Sequence, residues 1–203
     1  MNYRQAIEQF IFANAKPFDK YEHQPRLYRL SRYIASQECL SFDTDILHAA
    51  VWLHDIGVFE GHRPTDAKEL AEWDNVQYAC QTVPSLLTQW HFPSEKIPAV
   101  VECIECHLPA ASPTRIEAKI LRDADMLEMM GAVSLMRQIS KIGRDTRYHQ
   151  HTDILPVLKQ SFELENDLLF DTSRRIAKGK LAMVKSFLTS YEAESFYLDD
   201  CET

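Results

Sequence analysis

Apolar residues along the chain recur every three or four positions, the period of a helix face, and nowhere alternate for long enough to demand a strand. Ile7, Phe10 and Ile11 mark a first helix over about 2–15, closed by Pro17. Leu27, Leu30 and Ile34 mark a second over 23–36. A third begins at Asp43, a good N-cap, and runs through Ile46, Leu47, Ala50, Val51 and Leu53 to His54, where Gly57 is expected to stop it. This stripe is strongly apolar, so the pattern puts His54 and Asp55 on the last turn of a buried helix.

Residues 61–69 are polar and read as a loop before a helix through Trp73 to Leu87. Ser94 is placed to cap a helix bearing Ile97, Val100, Val101 and Ile104, with Pro98 tolerated near its start. Ser112-Pro113-Thr114 breaks the chain again. The longest helical pattern runs from Ile116 through Ile120, Leu121, Ala124 and Leu127 to Ile139, weakened or bent at Gly131. Residues 143–153, rich in Arg and His, read as a surface loop. A last helix, about 172–195, carries Ala177, Leu181, Val184, Leu188 and Tyr191 as a seam laid onto the chain's own core. No repeat or linker interrupts the 203 residues, so the expectation is all-α, one compact helical domain.

Composition narrows the chemistry. Only 5 glycines, and no G-x-G-x-x-G or G-x-x-x-x-G-K run, leave no glycine-rich phosphate loop. A bound phosphate would have to be held by side chains and metal. The net charge of −8 disfavours a DNA or RNA backbone as partner, whereas a small anion remains accessible because a bound cation dominates its local field. The opening MNYRQAIEQFIF has neither a basic start nor a long apolar run, which argues against export or a membrane span and for the cytoplasm. Five cysteines, an odd number, then read as reduced thiols.

The candidate chemistry centres on His54-Asp55. An imidazole and a carboxylate at the end of an apolar helix cost several kcal/mol to bury unless something pairs with them, and a divalent cation would satisfy both. Upstream, His23 stands in His-x-x-Arg-Leu at 23–27. Downstream, Asp123-Ala-Asp125-Met-Leu127 sets two acids in an apolar helix. Adjacent residues of a helix point about 100° apart, so the two acids, about 200° apart, are not expected to face one metal.

With Leu-x-x-Ala-x-x-Leu-His-Asp-Ile-Gly at 47–57, these phrases resemble the HD superfamily of metal-dependent phosphohydrolases. Gly131-Ala132, Arg137, Thr172, Arg175 and Ala177 extend the likeness to the bacterial branch that includes nucleotide pyrophosphohydrolases, with the motif core over about 20–140. The resemblance implies a helical HD bundle. It also implies metal ligands at His23, His54, Asp55 and Asp125, leaving Asp123 as a supporting partner or a solvated residue. Members with two metals carry extra histidines between the HD pair and the last Asp. Here His62, His91 and His107 are available, and His107 matches a recurrent family histidine closing Ile104-x-x-His107.

Two imidazoles and two carboxylates suit Mn, Fe, Co, Ni or Zn better than Mg, though Mg is not excluded. The expected reaction is hydrolysis of a phosphoester or phosphoanhydride in a small molecule such as a nucleotide, by a metal-activated water. Asp55 would act in catalysis as well as binding, and Arg26, with His107 or Arg122, would steady the phosphoryl oxygens. Arg26 has an equal reading as a surface ion pair. The rival enzyme-free reading is a regulatory module that keeps the fold and the ion. Cys103-Ile104-Glu105-Cys106-His107 also satisfies the haem-attachment pattern, but such attachment needs export, and the cysteines lie in a helical stripe where small thiols pack.

Overall fold

The computed structural model describes residues 2–17, 19–144 and 148–199. Among them every named element is helical, and the one β-type pairing is an isolated bridge between Glu60 and Arg63. The chain divides into two compact units, Met1–Ala124 and Asp125–Thr203. The division falls inside a single continuous helix.

In the first unit, α1 (Tyr3–Asn14), α2 (Asp19–Gln37), α3 (Thr44–Leu53), α4 (Ala67–Ala71), α5 (Asn75–Gln89) and α6 (Ile97–Glu105) lead into α7 (Ile116–Glu128). The central element is α3: every residue from Ile46 to Leu53 is buried, and α1, α2 and α6 pack against it. Its start follows from Asp43, whose carboxylate accepts from the N–H groups of Asp45 and Ile46 at 2.8 and 3.2 Å. Those donors have no partner within the helix, so the cap satisfies them.

A charge cluster pins the same end. Lys96 Nζ lies 2.8 Å from both Asp43 Oδ2 and Asp45 Oδ2, and Arg4 Nη2 lies 2.6 Å from Asp45 Oδ1. Burial alone would raise the Asp45 carboxyl, but hydrogen bonds from Lys96 and Arg4 outweigh it and hold the group well below its ordinary value of 3.8. A depressed folded value means that this stabilisation is complete above the unfolded pKa and is lost as pH falls through the folded one. Asp45→Asn should therefore melt lower than the parent at neutral pH and lose less on acidification below about pH 4, where the unfolded carboxyl takes up its proton. Melting curves from pH 7 to pH 2 check this; parallel acid losses in the two proteins would contradict it.

Several boundaries differ from the pattern. The second helix starts at Asp19 rather than His23, because a turn from Lys20 N–H to the Pro17 carbonyl (2.9 Å) nucleates it earlier; Pro25 then falls inside it. The fifth starts at Asn75, capped by Asp74, so Trp73 lies outside it. The polar 61–69 stretch contains the start of the short α4. Ser94 opens a 3-10 turn, Ser94–Lys96, rather than capping α6 directly. The third helix ends at Leu53, with His54 as its cap and Asp55 just beyond. Gly57 does not end it through a left-handed conformation. It sits in a 3-10 turn, Ile56–Val58, where an added Cβ would run into the Asn75 carbonyl oxygen and lie 2.8 Å from the Asn75 Cα. The requirement for glycine there is close backbone approach.

The second unit holds the end of α7, then α8 (Gly131–Ile139), α9 (Leu155–Gln160) and α10 (Asp171–Asp199). The single helix expected over 116–139 is two. Gly131 takes φ +80, and Lys180 Nζ donates to the Leu127 and Met130 carbonyls at 2.8 and 3.4 Å, closing α7. Of the expected seam on α10, Ala177, Leu181, Val184 and Leu188 are buried, Val184 and Leu188 packing with Tyr148, Ile154 and Leu158, while Tyr191 is half-buried. Within 143–153, Tyr148 is buried and His151–Ile154 form a 3-10 turn, so the stretch is not merely a surface loop; residues 145–147 lie outside the described residues.

Candidate metal centre

The end of α3 delivers His54 into the interior of the first unit. Its ring is wholly buried, and its Nδ1 lies 2.9 Å from the Val51 carbonyl oxygen. A carbonyl only accepts, so Nδ1 carries a proton, and in the neutral ring Nε2 then carries the lone pair. His107, just past the end of α6, repeats the arrangement: Nδ1 lies 2.5 Å from the Ile104 carbonyl oxygen. In both, a helix-end carbonyl three residues back fixes the tautomer that a metal ligand needs.

Around these two rings the expected residues gather. The His54 ring lies 5.4 Å from that of His23 and 4.9 Å from that of His107, centre to centre. Asp55 Oδ2 lies 3.8 Å from His23 Nε2 and 3.7 Å from His54 Nε2. Ligand atoms of His23, His54 and Asp55 fall within 4.8 Å of one another, and so do those of His54, His107 and Asp125. Asp125, one residue past the division between the units, is carried by α7 in unbroken helix from Ala124. All four residues expected as ligands thus belong to one or other group, and His54 belongs to both. His107, expected to face substrate, stands among the donors. Each group, two imidazoles and one carboxylate, fits a divalent metal ion by donor type and charge.

The other candidates separate. Asp123 is wholly buried, which removes its reading as a solvated residue; its Oδ1 lies 3.8 Å from Arg122 Nη1. Arg122, itself buried, donates Nη2 to the Pro109 carbonyl at 2.5 Å. Arg26 forms an i,i+4 pair with Glu22, Nη1 to Oε2 3.7 Å, on a side chain 30% exposed. His62 is boxed by the rings of Phe10, Phe59 and Tyr78, with Nδ1 3.1 Å from the Tyr78 hydroxyl, and burial lowers its pKa. His48 is buried against Glu8, Nε2 to Oε1 3.0 Å, as a core residue. His91 takes φ 55 in the turn after α5.

One supporting contact had no signal in the sequence. The Trp73 indole donates Nε1–H to the Gly57 carbonyl at 2.8 Å and so anchors the turn that follows the His-Asp pair. A tryptophan 16 residues downstream is only found by folding. The cysteine pair reads as packing: Cys103 is wholly buried and Cys106 half-buried, and burial raises both thiols. The nucleophilic and haem-linking form, the thiolate, is therefore disfavoured at both. Cys80 behaves alike, pushed up to about 11 by burial.

Residues 21–130 match the HD domain. No curated protein matches the chain. Among solved structures, an HD-superfamily hydrolase from Bacillus thuringiensis is similar, at 17% identity and a TM-score of 0.67 over 95% of each chain. A predicted HD-superfamily hydrolase from an uncultured Thermotogales bacterium shares 23% identity, with a TM-score of 0.63 over 95% of this chain and 93% of its own. Bacillus subtilis YpgQ, in complex with ADP, shares 19% identity, with a TM-score of 0.68 over 94% of this chain and 97% of its own. These three likenesses speak to the fold.

Proposed function

The chain belongs to the HD-domain family, and on that footing we propose that it is a metal-dependent phosphohydrolase acting on a small phosphorylated molecule, with a nucleotide as the favoured class. The observation that carries this reading is the convergence of donors on His54, whose tautomer is set by the Val51 carbonyl. His23, His54, Asp55 and Asp125 would hold the ion, and His107 stands close enough to His54 and Asp125 to join them. When bound, such an ion lowers the pKa of water and polarises a phosphoryl oxygen.

The remaining work falls to the chain's own groups. Asp55, half-buried beside His23 and His54, would act in catalysis as well as hold the ion. Arg26, one turn along α2 from His23 and paired loosely with Glu22, would meet phosphoryl oxygens. A pair of this kind contributes little in water, so its loss costs little. The ADP held by the Bacillus subtilis protein supports a nucleotide as substrate. The net charge of −8 favours a small anion over a nucleic-acid polymer. Among the described residues no helix is long and apolar enough to cross a membrane.

The test is metal analysis of protein purified without chelator, followed by phosphate or pyrophosphate release from nucleoside mono-, di- and triphosphates and sugar phosphates. We expect bound transition metal, and turnover that disappears on chelation and returns with Mn or Co. Protein that takes up no metal on reconstitution, or turnover indifferent to chelation, would defeat the proposal.

A further inference from the structure

An irregular segment joins α6 to α7. His107 stands at its beginning, just past α6, and residue 115 ends it immediately before α7, the helix that carries Asp125. A segment of that length without regular structure has many accessible conformations, and a donor at its start needs something to hold its position. Its far end is tied to α6, where Arg115 Nε donates to Glu102 Oε2 at 2.9 Å. Its near end is tied to α7, where Arg122 Nη2 reaches the Pro109 carbonyl at 2.5 Å, two residues after His107.

Arg122 lies three residues before Asp125, so the two side chains leave α7 on neighbouring faces. Its guanidinium is only 5% exposed, Nη2 is donated to a backbone carbonyl, and Nη1 faces the wholly buried Asp123 at 3.8 Å. A group so placed is not presented to an incoming phosphate. A buried ion pair adds little stability over apolar residues of the same size, so its presence calls for another reason. Only arginine's planar fork meets a carbonyl and a carboxylate at once.

We infer that Arg122 is a positioning residue that fastens the His107 turn to α7 and thereby holds the His107 ring beside that of His54, 4.9 Å away centre to centre. The inference rests on the metal-centre reading for its consequence, though not for the contact itself. Losing such a support costs about 10–100-fold in metal affinity while the ligands stay in place.

The test uses the full chain in two forms beside the parent. Arg122→Met combined with Asp123→Leu removes both buried charges together, so neither is left uncompensated and the fold is kept. Arg122→Lys keeps the charge and one of the two contacts. In metal-free protein, hydrogen exchange is followed at the His107 ring N–H and at the Ala111 amide, which bonds the Leu108 carbonyl at 3.0 Å. Cobalt(II) binding is then titrated by visible absorption. The double variant should melt near the parent, exchange faster at both sites, and bind cobalt about 10–100-fold more weakly; the lysine variant should fall between. Parent-like exchange and cobalt affinity in the double variant would overturn the inference. So would faster exchange throughout the protein with a matching loss of melting temperature, since that describes a merely structural pair. If the parent itself binds no cobalt, the metal reading fails, and exchange at His107 and Ala111 still decides whether Arg122 holds the turn.

Discussion

His54→Ala should give a folded protein without metal and without hydrolytic activity. His54 is the one residue shared by both donor groups, so its removal breaks each of them, whereas loss of His23 or of Asp125 breaks one. The effect on metal affinity should exceed the roughly 10–100-fold that follows when only a supporting hydrogen bond is lost. Alanine is the best helix former and the site is the cap of α3, so helix content should be unchanged. Metal analysis, circular dichroism and turnover on the substrate that the panel identifies would be read together. A variant that retains stoichiometric metal would show that the ligand atoms meet without forming a centre.

The second large effect separates Asp123 from Asp125. Asp123→Ala should act on stability. It strips the buried Arg122 guanidinium of the carboxylate beside it, and breaking a buried pair by removing one partner costs about 3–5 kcal/mol. For a chain of this length that is a fall in melting temperature of roughly 6–20 °C. Asp125→Ala should act on metal, with a far smaller change in melting temperature of the metal-free protein. The two readouts should therefore cross: Asp123→Ala low in stability and able to bind metal below its melting point, Asp125→Ala stable and metal-poor. The opposite assignment, with Asp123→Ala stable and metal-free, would mean that α7 is rotated from the orientation described here. Complete burial of Asp123, which the sequence left open as a supporting or a solvated residue, is what raises the cost.

Much of the architecture was legible in local periodicity. The stripe Ile46, Leu47, Ala50, Val51, Leu53 behind the Asp43 cap specifies α3, because caps and a 3.6-residue period act over one or two turns and need no distant partner. The seam on α10 was visible for the same reason. The residues His23, His54, Asp55 and Asp125 could be named from the chain, through the family phrases that contain them, and the structure brings all four into the two donor groups.

What needed the tertiary structure depends on groups far apart in sequence. Gly57 looks like a helix stop, yet it is required because the Asn75 backbone passes where a Cβ would stand. The pattern from Ile116 to Ile139 reads as one helix, yet Lys180 caps the Leu127 and Met130 carbonyls and Gly131 turns left-handed, so it becomes two. Asp123 and Asp125 are the same residue type on different faces of one helix, and the sequence left the surroundings of Asp123 open. Packing puts one against Arg122 and the other beside His54 and His107. Local spacing determines which face of a helix a residue occupies; only the neighbours packed on that face decide whether it meets a cation, a carbonyl or other ligands, and that choice sets its chemistry.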